Sequence, residues 1–101
     1  MTEDTLELQG SVEEIKVDIK EIATRHNWHI KKEGETVISF ETPATIFSWG
    51  ETVEVRLETA DGNEIRVRMK SSPTAQVFDW GKSSENIKLL KEGLRPPRLR
   101  A

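Results

Sequence analysis

Polar and apolar positions change period along the chain, and each change marks an element. Thr5 to Gln9 alternates, with Leu6 and Leu8 on one side, which predicts a short first strand ended by Gly10. Ser11 followed by Glu14 forms a capping box, in which each residue's side chain takes the other's backbone N–H. Behind it Val12, Ile15, Ile19, Ile22 and Ala23 recur at helical spacing, so an amphipathic helix should lie across a sheet. Glu13 and Glu14 suit its positive end, Arg25 and His26 its negative end, and Asn27 is a left-handed stop.

From Trp28 the period becomes two. Trp28 and Ile30 should share an inward face with Ile38 and Phe40 across a turn near Glu33-Gly34, and Pro43 interrupts the run. A longer strand follows with Val53, Val55 and Leu57 inside. Its partner carries Ile65, Val67 and Met69 inside and Arg66, Arg68 and Lys70 outside. Facing residues of an antiparallel pair share a side, so a two-residue turn at Asp61-Gly62 would set Val55 against Arg68. A loop of Ala60, Asp61 and Gly62 instead pairs Val55 with Val67, Leu57 with Ile65, Val53 with Met69 and Glu54 with Arg68.

Ala75 to Trp80 reads as a last strand or an extended lead-in to a second helix. That helix is capped by Ser83 or Ser84, striped by Ile87, Leu90 and Leu94, and ended by Gly93. The order β-α-β-β-β-β-(β)-α lacks crossover helices between its central strands. It predicts an α+β fold, a mainly antiparallel sheet of four to six strands with two helices packed on one face. Residues 1–94 form one domain, and the basic stretch 95–101, with Pro96-Pro97, reads as a disordered tail.

Composition narrows the chemistry. A net charge of −3 argues against nucleic acid or an anionic membrane as partner, and the lack of cysteine excludes disulfides and thiolate chemistry. No stretch approaches a membrane span, and the acidic start does not resemble a signal peptide, so a cytoplasmic location is the default expectation. His26 and His29 have a chelating spacing, but the helix should end between them and no third ligand is near in sequence. No catalytic residue, metal or cofactor is expected, and the oligomeric state is open.

The unusual feature is a near-repeat, Phe47-Ser48-Trp49-Gly50-Glu51 and Phe78-Asp79-Trp80-Gly81-Lys82. Each tryptophan could plug one end of a thin core while its glycine lets the backbone turn. Alternatively the two corners meet as an aromatic-floored groove, giving Trp49, Trp80, Glu51, Asp79 and Lys82 as candidate ligand-binding residues. The run Ser48-Trp49-Gly50-Glu51, then Asp79-Trp80-Gly81-Lys82 with Asn86-Ile87 on the closing helix, resembles a family of small uncharacterised bacterial domains. That resemblance implies a shared α+β scaffold and no named substrate. The expected function is a non-enzymatic binding or accessory domain recognising a protein or small apolar ligand. Two other readings stay open: a structural or self-associating appendage of a larger assembly, and an enzyme or metal binder built on Glu51, Asp79 and the histidines.

Overall fold

The structure, a computed structural model, describes residues 1–44, 50–73 and 82–98. Seven elements follow in chain order: β1 (Thr2–Gln9), α1 (Val12–Arg25), β2 (His29–Glu33), β3 (Val37–Glu41), β4 (Glu51–Thr59), β5 (Glu64–Pro73) and α2 (Lys82–Arg98). The strands form one antiparallel sheet in the order β1-β5-β4-β3-β2. The stretch from Ala75 to Trp80, read as a possible sixth strand, lies outside the described residues.

Local chemistry sets both ends of α1. The Glu14 N–H donates to Ser11 Oγ at 3.2 Å and the Ser11 N–H to Glu14 Oε1 at 3.2 Å, so the capping box is closed. At the other end Asn27 takes φ 61°, while the Trp28 N–H reaches the Ala23 carbonyl and the Asn27 N–H that of Thr24. These two bonds make a Schellman stop and turn the chain directly into β2.

Ile15, Ile19, Ile22 and Ala23 of α1 pack with Ile87, Leu90 and Leu94 of α2 over Leu8, Val53, Val55, Val67 and Met69, all buried. Burying each large side chain contributes about 1.5–3 kcal/mol before entropy is counted, so this single layer is the main source of stability. The opposite face carries ion-paired charge. Arg56 pairs with Glu54, Arg68 with Glu58, and Arg66 lies 3.9 Å from both Glu7 and Glu58.

Three details differ from the sequence expectation. The β4–β5 register is displaced by two residues: Val55 faces Met69, Leu57 faces Val67 and Glu54 faces Lys70. The loop has three residues, but they are Asp61 to Asn63, closed by Ala60 N–H to Glu64 O at 2.8 Å and Glu64 N–H to Asp61 O at 3.2 Å. Gly62 supplies the positive φ of 63° inside that tight turn.

Ile30 is not part of the core but 50% exposed. β2 is an edge strand beyond the apolar cover of the helices, and Lys16 and Lys20 of α1 pair with its Glu33. Finally, Gly93 does not end α2, whose helical backbone runs to Arg98, into the stretch read as a tail. A Cβ at Gly93 would lie 2.6 Å from Ile22 Cδ1 and 2.7 Å from its Cγ1. That glycine is a point of close approach between the helices, not a stop.

Candidate functional site

Glu51 is the first residue of β4 and is completely buried. Of the other candidates, Trp49, Asp79 and Trp80 lie outside the described residues. Lys82 opens α2, but its side chain also lies outside them.

What the structure does place around Glu51 is a buried polar cluster. Gly50, with φ 98°, brings the chain so close to β3 that a Cβ there would sit 2.7 Å from the Thr42 carbonyl oxygen. That approach lets Glu51 and Thr42 join by one backbone bond and one bond to the Thr42 hydroxyl. The Thr42 N–H donates to Glu51 O at 2.9 Å, and the Glu51 N–H donates to Thr42 Oγ1 at 2.8 Å. Glu51 is thereby set in register with the inward series Val53, Val55 and Leu57, and its side chain enters the layer between sheet and helices.

Three polar side chains meet it there. Ser71 continues the inward series of β5, and Ser83 and Asn86 stand one turn apart on α2, all at most 1% exposed. The Ser83 hydroxyl donates to Glu51 Oε1, and the Ser71 hydroxyl donates to the same oxygen at 3.3 Å. The Asn86 Nδ2 donates to Ser71 Oγ at 3.2 Å. Among the described residues, Glu51 Oε2 and Asn86 Oδ1 have no hydrogen-bond partner. A buried polar atom left without a partner costs about 1–3 kcal/mol, so two in one cluster need an explanation.

Sequence reasoning singled out Glu51 and missed its partners. A signal was present: Glu51 and Ser71 are polar residues in the inward alternation of their strands, and Ser83 and Asn86 lie on the stripe continued by Leu90 and Leu94. Their meeting depends on three elements far apart in sequence.

Other charged groups serve packing. A hydrogen bond from Lys91 at 2.7 Å, helped by the Thr5 N–H, holds the Asp4 carboxyl below its usual range and ties β1 to α2. Lys20, with Lys16, does the same for Glu33. His26 caps α1 with its ring 6.1 Å from that of Trp28, and His29 is exposed on β2 in register with Glu41. Among the described residues no three His, Asp or Glu side chains are grouped to hold a metal. A depression of about 560 Å³ between β1, β4 and β5 is lined by the charged Glu3, Arg56, Arg68 and Lys70 and also by Met69. Compared with known proteins, the chain matches no protein-family model and no curated protein.

Proposed function

We propose that this chain is a non-enzymatic binding module whose ligand engages the end of the sheet around Glu51. The observation that carries the reading is the pair of buried, unpartnered acceptors, Glu51 Oε2 and Asn86 Oδ1, held by a hydrogen-bonded frame of Ser71 and Ser83. A carboxyl and an amide fixed in this way hold their acceptor oxygens in one orientation, which is how polar groups confer orientation in otherwise apolar sites. Glu51 stands at the start of β4 facing Pro73, so the cluster lies at the sheet's rim and not at its centre.

The charge on the open sheet face disfavours the alternative of an appendage that self-associates through it. Glu54, Arg56, Glu58, Arg66 and Arg68 already have partners within the chain, and burying them in a dimer would cost desolvation. The decisive experiment is a ligand screen by thermal shift and two-dimensional NMR on the wild type, Glu51→Gln and Asn86→Leu. Hits should move the Asn86 side-chain amide signals and weaken in both variants. Hits that move only resonances of the open sheet face, and bind the variants equally, would remove this site as the binding surface.

A further inference from the structure

We propose that the outer edge of β1, with the groove between β1 and α2, takes an extended basic segment of a partner protein as a sixth strand. This surface is separate from the Glu51 cluster and does not depend on a ligand there. The sheet has two outer strands, and they are built differently. β2 is five residues long, its register with β3 shifts between Ile30 and Lys32, and it carries Lys31 and Lys32. Short length, a bulge and lysines are devices that keep a strand from accepting another. β1 has eight residues, an unbroken register with β5, and neither lysine nor proline.

The backbone of β1 alternates as an antiparallel strand must. The Gly10 N–H reaches the Asn63 carbonyl on the β5 side, so the main-chain groups of Glu3, Thr5 and Glu7 point away from the sheet. Among the described residues nothing takes the backbone N–H or carbonyl of Glu3 or Glu7. The Thr5 N–H goes to its neighbour's carboxylate, Asp4 Oδ1 at 2.8 Å, a local bond that an incoming carbonyl replaces. Beside this edge a groove of about 350 Å³ is lined by Thr2 and Asp4 of β1 and by Ile87, Lys88 and Lys91 of α2. An edge strand flanked by such a groove suits strand addition, in which main-chain bonds give affinity and alternate side chains give specificity.

The side chains say which strand fits. Every second residue of an added strand enters the groove, where short aliphatic groups pack beside Ile87 and the Asp4 carboxylate is already bonded to Lys91. The residues between them meet Glu3, Thr5 and Glu7, all exposed, and the two carboxylates call for lysine or arginine opposite. A second copy of the chain does not fit. Pairing β1 with β1, antiparallel and centred on Thr5, sets Glu3 of each chain against Glu7 of the other.

The test titrates the isotope-labelled full chain with three end-blocked peptides, GKVTVKG, GEVTVEG and GKVPVKG, at equal ionic strength. Backbone amides are followed by NMR and by hydrogen exchange. GKVTVKG should shift the Glu3, Thr5 and Glu7 amides saturably and slow their exchange. The acidic peptide should bind about tenfold more weakly, and the proline peptide, which keeps the charge but lacks the central N–H, should not slow the exchange. Glu3→Lys with Glu7→Lys, both at exposed positions, should reverse the order of the first two peptides. If the proline peptide binds as well as GKVTVKG, the attraction is charge alone and strand addition falls. If these amides exchange slowly without peptide and light scattering gives a dimer mass, the occupant is a second copy and the proposal falls. If no peptide moves them, the edge is closed and the proposal falls. None of these outcomes bears on the Glu51 cluster, which is read through the Asn86 side chain.

Discussion

Replacing Gly93 by alanine tests how α2, and with it Ser83 and Asn86, is seated. In an isolated helix the change would stabilise by about 1 kcal/mol, because glycine is the poorer helix former. Here the new methyl would lie 2.6 and 2.7 Å from two carbons of Ile22, which is 1% exposed and packed on all sides. Overpacking of this kind costs about 1–3 kcal/mol. The β-branched Ile22 has little rotamer freedom on a helix with which to move away. We expect a net loss of about 1–2 kcal/mol, or a fall in Tm of roughly 5–15 °C for a domain of this size. Urea unfolding of Gly93→Ala, Ile22→Ala and the double variant completes the cycle. Ile22→Ala alone should cost about 2–5 kcal/mol, and adding Gly93→Ala to it should restore about 1 kcal/mol by filling space and favouring the helix. If Gly93→Ala stabilises the wild-type chain, the two helices are not held at the distance described, and the placement of Ser83 and Asn86 loses its support.

Two other perturbations reach the site and its surroundings. Gly50→Ala should destabilise by at least about 2 kcal/mol in urea unfolding, since an alanine must adopt φ 98° with its Cβ 2.7 Å from a backbone carbonyl that cannot yield; a change within error would mean that the β3–β4 junction is built differently. Asp4, held below its usual range by Lys91, adds stability that is present above the ordinary aspartate range and disappears as pH falls through the lowered value. Lys91→Met should therefore lower stability slightly at pH 7, by a few tenths of a kcal/mol given the exposure of the pair, and flatten the loss of Tm below about pH 4. Equal slopes in wild type and variant would show that the pair does not form.

How far the sequence carried depends on the range of the interactions involved. Ser11, Glu14 and Asn27 act on backbone groups a few residues away, so both ends of α1 were legible. The alternation of Val53 to Leu57 and of Ile65 to Met69 assigned the inward face correctly, because face depends only on parity. Parity is blind to a displacement by two, and so the register was legible only up to that ambiguity. Ile30 has the right parity for burial and is exposed because β2 is outermost, a property of strand order. Gly93 looked like a helix stop since a glycine near a predicted terminus has that meaning; its actual partner, Ile22, belongs to another helix. Within the candidate site only Glu51 was found, through its place in the Phe-x-Trp-Gly near-repeat, whereas Ser71, Ser83 and Asn86 acquire their meaning by convergence.

The strand order has a consequence for how the chain reaches this state. Strands β2 to β5 are joined to their neighbours by hairpins or a short excursion and can zip in sequence, each closure costing little chain entropy. β1 pairs only with β5, placing Leu8 beside Ile65 across most of the chain. That closure is the slow, non-local one. Until it occurs, β5 is an open edge carrying Ile65, Val67 and Met69 on one face, a template on which a second chain could add. The acidic residues Glu3 and Glu7 on the strand that finally seals it leave this edge of the finished sheet with a charged border, so adhesion along β5 is a hazard of the nascent molecule.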